Sequence, residues 1–369
     1  MTRARQNANV SAAVGRNMVI NSAMNVAQRS ASVTGIGANY GGYFTVDRWR
    51  IYAENGAGRL TMTQTADGPN GISANCIKLD CTTADASIAA GEILLLKQTF
   101  EGQNLQRIGS GVAGAKQITV SFYVKASAGF TFGCELDNHD NTRQCTKLFD
   151  TTTDWVRHEI TFPADVDDGS SPFDDDNAAS LGMFFWLHAG SSFTSGTLNT
   201  ASFADDGTST RAAGIDSFFS NTANNFFLTG VQLEVGPVAT EFEQEDITTT
   251  LTKCQRYYQK QIATGSAFER FGNGFANTTG NFNTIIPMQV PMRATPAIET
   301  TGTVGNYGVY HANAVTAATG IAIDGNADGH AKQVGVNIAD SNSGFTVGRS
   351  GMFIANNTVA AFIALSAEI

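Results

Sequence analysis

Between Cys134 and Cys145 the chain reads CELDNHDNTRQC, which places two cysteines, His139 and Asp140 in one short stretch. Thiolate, imidazole and carboxylate groups hold zinc, but structural zinc sites use short, regular ligand spacings. This run matches no standard finger or ribbon. It reads as a polar hairpin loop across which Cys134 and Cys145 could pair. A second run, DVDDGSSPFDDDN, gathers Asp165, Asp167, Asp168, Asp174, Asp175 and Asp176. Calcium takes about six to eight oxygen ligands, which Asp-rich loops can supply. The run lacks the glutamate that follows the glycine turn in an EF-hand, so a solvated acidic loop is the plainer expectation. Structural calcium is the one cofactor left open, without an assigned ligand set.

Patterns for catalysis are missing. No nucleophile elbow, phosphate-binding glycine loop, dinucleotide fingerprint or zinc-protease helix motif occurs. Glycoside hydrolysis needs two carboxylates about 5–10 Å apart across a cleft, and nothing selects a pair among the 33 acidic residues. The five histidines are scattered, and His158 falls on the apolar side of its strand, where a hydrogen-bonded core role is expected. No catalytic residue is assigned, and the chain is expected not to be an enzyme. Recognition chemistry has one better-placed cluster. GNYGVYHANA sets Tyr307, Tyr310 and His311 in a glycine-flanked segment read as a loop between strands. Flat phenol rings bind sugar faces and peptide edges at low entropic cost, and an imidazole adds a hydrogen bond.

The elements that must carry these groups are strands. QITVSFYVKAS alternates Ile118, Val120, Phe122 and Val124 against Thr119, Ser121, Tyr123 and Lys125, the period of a strand with one apolar face. WVRHEITFP repeats the pattern, and GMFFWLHAG, apolar on both faces, reads as a central sandwich strand. GVQLEVGPVATEFEQE alternates Val231, Leu233 and Val235 with Gln232 and Glu234, then stops at Gly236-Pro237. Short strands with turn signals between them imply a mainly β fold: a jelly-roll β-sandwich over residues 17–244, preceded by a polar arm, 1–16.

The period then changes. Ile247, Leu251, Cys254, Tyr258 and Ile262 recur at helical spacing behind Asp246, a sensible N-cap. Leu251, Cys254 and Tyr258 form the stripe expected to pack a domain or an oligomer contact. Residues 245–369 are read as this helix plus a second β-sandwich-like domain for oligomerisation or distal recognition. Its expected strands include SGFTVGR, and Pro287, Pro291 and Pro296 confine FNTIIPMQVPM to an edge or to strand ends.

Composition sets outer limits. In 369 residues only 15% are charged, while glycine (38) and phenylalanine (24) are abundant, a balance of turns and core rather than of disorder. A net charge of −10 excludes a whole-protein basic footprint for nucleic acid or an anionic membrane surface. No stretch approaches the roughly 18 apolar residues of a membrane span, and the first sixteen residues lack the apolar region of a secretory signal. Five irregularly spaced cysteines are expected to be free thiols of a protein made in a reducing cytoplasm.

Five phrases occur in a fixed order: NMVINSAMNVAQRS (Asn17–Ser30), YFTVDRW (Tyr43–Trp49), QITVSFYVKAS (Gln117–Ser127), LTGVQLEVGPVATEFE (Leu228–Glu243) and CQRYYQK (Cys254–Lys260). Together they resemble a family of bacteriophage virion proteins described as tail-fibre or structural proteins. The segment PMRATP, Pro291–Pro296, and the ending ALSAEI also resemble that family. The resemblance implies a carbohydrate-module-like jelly roll, a helix and a distal or assembly-forming β-domain. It implies location in the virion, other virion proteins as partners and a homotrimer. It also implies a role in host attachment through a surface polysaccharide or outer-membrane receptor. The arm, with Arg3, Arg5 and Arg16, would then dock on the particle. A capsid-decorating or head-fibre protein shares the same pattern. A polysaccharide-degrading tailspike would usually carry the repeats of a long parallel β-helix, and these are missing.

Overall fold

The computed structural model describes residues 15–166, 172–205, 207–324 and 333–369. The chain forms two compact units, one of residues 1–250 with Ile369 and one of residues 251–368. The division falls inside the helix rather than before it. Among the described residues no helix is long and apolar enough to cross a membrane.

The first unit is a jelly-roll β-sandwich. Its strands are β1 (Ser32–Ile36), β2 (Gly42–Tyr43), β3 (Arg50–Glu54), β4 (Arg59–Thr65), β5 (Cys76–Thr83), β6 (Ile93–Glu101), β7 (Ile118–Ala126), β8 (Thr131–Asn138), β9 (Arg143–Asp150), β10 (Val156–Phe162), β11 (Ala179–Ala189), β12 (Ala204–Asp205) and β13 (Asn225–Val235), with a one-turn helix α1 (Ser191–Thr194). A six-stranded sheet runs β1-β4-β5-β13-β7-β10 and a seven-stranded sheet β12-β9-β8-β11-β6-β3-β2. Every pairing is antiparallel, and β11 lies mid-sheet, as its two apolar faces require. The inward residues Ile118, Val120, Phe122 and Val124 of β7 are all buried. Phe122 meets Phe149 and Phe185 of the facing sheet edge-on, at 4.9 and 5.0 Å between centroids, a favoured aromatic geometry.

The second face of β13 is polar, yet it is not solvated. Gln232 and Glu234 are buried as completely as Val231 and Leu233, because the chain after Pro237 folds back over them. Thr240 gives Glu234 a hydrogen bond from its backbone N–H and another from its hydroxyl, both 2.8 Å. Gln232 Nε2 donates to Glu234 Oε1 at 2.8 Å and to Thr240 Oγ1 at 2.9 Å. Gly230 permits the register change beside this network. Its φ is +59°, and a Cβ there would stand 2.8 Å from Ile72 Cγ2. Before the glycine, β13 pairs with β5 through Asn225–Leu228. After it, the edge is taken by the chain's early segment: Val231 N–H donates to Ser22 O (3.1 Å) and Met18 N–H to Leu233 O (2.9 Å).

In the second unit, β14 (Tyr258–Ile262), β23 (Phe362–Ser366) and β17 (Ala297–Glu299) form a three-stranded sheet. A seven-stranded sheet runs β19 (Ala314–Ala317), β18 (Tyr307–His311), β22 (Ser350–Ala355), β15 (Arg270–Thr278), β16 (Asn281–Pro287), β21 (Gln333–Ala339) and β20 (Gly320–Ile323). Their core includes Phe271, Phe282, Tyr307, Val336, Phe345, Phe353 and Leu365. Pro287 ends β16, where its missing donor costs the ladder least. The stretch SGFTVGR is not a strand. Left-handed backbone at Ser343 (φ +56°) and Gly348 (φ +76°) interrupts any extended run there, although Phe345 is buried.

The helix α2 spans Ile247–Gln255 and stops short of the expected stripe. Asp246 caps it, its Oδ1 accepting from Thr248 N–H at 2.8 Å. Cys254 is buried on the helix, and Leu251 is only partly covered. Tyr258 opens β14, whose pairing with β23 through Tyr258↔Ser366 to Ile262↔Phe362 overrides the helical spacing. Tertiary pairing commonly wins over so weak a local preference.

Candidate functional site

The alternation of five strands builds a charged aromatic face on the outside of the first unit's seven-stranded sheet. Leu181, Met183, Phe185 and Leu187 of β11 enter the main core, which turns Phe184 and Trp186 outward. Cross-strand registers align two rows. Arg50, Lys97, Phe184, Glu135 and Thr146 stand opposite one another in turn across β3, β6, β11, β8 and β9. The adjacent row is Tyr52, Leu95, Trp186 and Gly133. Leu95, Phe184 and Trp186 belong to a second, smaller apolar cluster, against which the half-buried Tyr52, Phe193 and Ile215 pack.

Charges on this face are unevenly satisfied. Arg211 forks onto the buried carboxylates of Glu135 and Asp137, its Nε donating to Glu135 Oε2 at 3.1 Å. Thr146 Oγ1 adds a hydrogen bond to Glu135 at 2.9 Å. Burial pushes the Glu135 carboxyl up, to about 7, against the opposing pull of Arg211. His139 Nδ1 lies 3.8 Å from Asp137 Oδ1, and burial holds its imidazole below the ordinary value. Lys97 sits over the rings of Phe184 (4.9 Å) and Tyr52 (5.5 Å). Its amine is pushed down to about 8, first by burial and then by Arg50. The Trp186 indole N–H is buried without a hydrogen-bond partner. No sequence motif marks this face. Its signal is Arg50, Tyr52 and Glu54 at alternate positions of RWRIYAE and the single lysine of the apolar run EILLLKQ, legible only once the strand registers are known.

A different constellation has the outline of a nucleophile–base–acid relay. His188 Nδ1 lies 2.7 Å from Ser217 Oγ, and Nε2 lies 2.9 Å from Glu92 Oε2. The imidazole is wholly buried against the Phe219 ring, with Glu92 buried beside it. Its base nitrogens are spent within the fold, and the trio ties β11, the start of β6 and the following loop together.

The residues singled out from sequence fall elsewhere. Tyr307 is not in a loop. It opens β18, is fully buried, and donates its hydroxyl to Phe362 O at 2.6 Å while accepting from Thr301 N–H at 3.0 Å. His311 ends the same strand, buried, with Nε2 2.8 Å from Thr316 Oγ1. The turn is Ala312-Asn313, both at positive φ. Tyr310 alone is exposed, because strand alternation turns it away from its neighbours. It borders a recess of about 360 Å³ lined by Phe268, Arg270, Val315, Met352 and Ile354. Val315, Tyr310, Met352, Asn273 and Ile285 form one row across that outer sheet face.

Cys134 and Cys145 lie on strands β8 and β9 rather than in a loop, buried and unbridged. Cys145 faces Leu136, two positions from Cys134. Burial pushes both thiols up, Cys145 to about 12. Among the described residues no cluster could hold a metal ion. Asp165 is buried in a network with Ser110, Asn138 and Arg143, while Asp167 and Asp168 lie outside the described residues. Arg16 is folded in rather than extended: it donates to Glu241 O at 2.8 Å. Arg3 and Arg5 lie outside the described residues.

No protein-family model matches the sequence, and no curated protein matches it. Among solved structures, the enzymatically active domain of bacteriophage CBA120 tailspike protein 4 is similar at 10% identity and a TM-score of 0.30, over 60% of this chain and 21% of that one. TmCBM61 in complex with β-1,4-galactotriose is similar at 10% identity and a TM-score of 0.30, over 60% of this chain and 99% of that one. The family 11 carbohydrate-binding module of Clostridium thermocellum, bound to a mixed-linked tetrasaccharide, is similar at 11% identity and 0.27, over 52% of this chain and 91% of that one. At scores of this size the likeness says nothing about what this chain binds.

Proposed function

We propose that the chain is a structural protein of a bacteriophage virion, a tail fibre or receptor-binding component that acts in host attachment by recognition rather than by a reaction. One observation carries this reading. The first and fourth phrases of the family resemblance meet in space as two halves of one closure: Asn17 and Met18 bond to Val231 and Leu233, while Glu243 bonds to Asn17 and Gln232. Phrases that recur together because they lock one scaffold support a shared architecture, and that is how a virion family without a catalytic set would be kept. The exposed Phe268, Phe275, Ile285, Tyr310 and Val315 of the second unit support a surface made for partners, and with it a homotrimer.

Immunogold labelling of phage particles with antibody to the chain tests the reading. Gold at the tail supports it. Gold over the head shell replaces it with a head-fibre or decorating role, and unlabelled particles from a lysate that contains the chain overturn it.

A further inference from the structure

Arg50 on β3 and Lys97 on β6 are direct cross-strand partners. Like charges directly opposite destabilise a sheet, so a pair of this kind ordinarily recruits an acid. Here none is recruited. No acidic oxygen lies within 4.0 Å of either side chain's nitrogens among the described residues. Arg50 Nε is buried without a hydrogen-bond partner, and the Lys97 amine rests only on ring faces. The nearby acids are engaged elsewhere: Glu135 and Asp137 by Arg211, and Glu54 by the Tyr52 hydroxyl. Both cations are half-buried, beside the half-buried ring of Tyr52 and above the buried Phe184 and Leu95.

We propose that Arg50 and Lys97, with the half-exposed ring of Tyr52, form a binding site for a carboxylate-bearing saccharide. A guanidinium fork matches a planar carboxylate in two parallel hydrogen bonds, and the ammonium adds a point charge from the next strand. Glu135 stands in the same row and Asp137 in the row beyond it, and their field disfavours a dianionic group such as phosphate over a single carboxylate at the cations. The Tyr52 ring lies within reach of both cations, 6.0 Å from Arg50 and 5.5 Å from Lys97, and its exposed part gives a pyranose ring an apolar flank to rest on. The proposal names a ligand class for the recognition reading above and rests on it. Its test uses purified protein, so a failure here leaves the protein's place on the particle untouched.

Titration calorimetry on the full chain compares trigalacturonate, its fully methyl-esterified form and inorganic phosphate. The acid is expected to bind about tenfold or more tightly than the neutral ester, with affinity falling as salt is raised. Lys97→Met and Arg50→Gln are each expected to weaken binding about tenfold, while Lys97→Arg stays within about threefold of the parent. Thermal melting of each variant checks that it is folded. A separate readout needs no variant: trigalacturonate should protect Lys97 from an amine-acylating reagent, as mapped by peptide mass spectrometry. Equal binding of acid and ester, equal displacement by phosphate, or unprotected Lys97 at saturating trigalacturonate would each overturn the proposal.

Discussion

The Glu243 carboxylate accepts a hydrogen bond from the backbone N–H of Asn17 at 2.9 Å, joining residues 226 apart in sequence. Its own N–H donates to Gln232 Oε1 at 2.8 Å, and Asn17 Oδ1 receives Leu233 N–H at 3.1 Å. One residue therefore secures both, the early segment through its carboxylate and the fold-back over β13 through its backbone N–H. Replacing Glu243 with Ala removes a charge-assisted bond and uncovers the edge of β13. The expected loss is about 1.5–3 kcal/mol in urea unfolding, with new protease cleavage between residues 15 and 25. A variant as stable and as protease-resistant as the parent would show that the closure contributes nothing.

Arg211 pairs with two buried acids, Glu135 and Asp137. Removing one partner of a buried ion pair leaves an uncompensated charge, which costs about 3–5 kcal/mol. Arg211→Met should therefore destabilise by that order, and burial, no longer opposed by Arg211, should push Glu135 further up. Adding Glu135→Gln should recover part of the loss. A double variant no better than the single one refutes the charge argument and leaves lost packing on Phe184 and Trp186 as the cause.

Strand identity was legible wherever one face was apolar and the other polar, as in QITVSFYVKAS and WVRHEITFP, because a period of two leaves little choice. Burial of the polar face was not. Gln232 and Glu234 look like solvent positions until Thr240 folds back on them. Tyr307 and Tyr310 show the same limit: three residues apart, they belong to opposite faces of one strand, and the glycines around them disguised it as a loop. The helical stripe through Tyr258 failed because β23, over a hundred residues later, offers a sheet edge that local spacing cannot foresee. The outer face with Arg50 and Lys97 needed pairing registers, which link residues from four separate strands.

The two tyrosines of β18 should separate cleanly. Tyr307→Phe loses a hydroxyl that is buried with both a donor and an acceptor. The expected cost is about 1–3 kcal/mol, read as a lower melting temperature. Tyr310→Ala, at an exposed position beside the recess, should change stability by no more than about 0.5 kcal/mol and should reduce phage adsorption to host cells. Unchanged adsorption for Tyr310→Ala returns that face to a structural or assembly role.

Lys97 gives the charged face a pH signature. Its amine falls to about 8 in the folded protein, below the value of about 10.4 of a free lysine. Below about 8 both folded and unfolded chains carry the proton, so the penalty for holding a cation beside Arg50 is fully present. Between about 8 and about 10.4 the unfolded chain binds a proton that the folded chain lacks, so stability rises with pH through that window. The other groups facing the amine are Arg50, Glu135, Asp137 and Arg211, together with Tyr52, whose phenol is pushed up to about 12 by burial and then by Glu54 and so stays protonated throughout. Lys97→Met keeps the apolar stem over Phe184 and Tyr52 and deletes the charge. The variant should be more stable than the parent at pH 7, by on the order of 1–3 kcal/mol with solvent screening setting the lower end. That advantage should shrink to nothing by about pH 10.4. Urea unfolding of both proteins at half-unit steps from pH 7 to 10.5 reads the difference directly. A constant difference across the range, or a variant less stable at pH 7, would mean that ring contacts and solvent fully offset the repulsion, and Arg50 and Lys97 would then have no need of an anion between them.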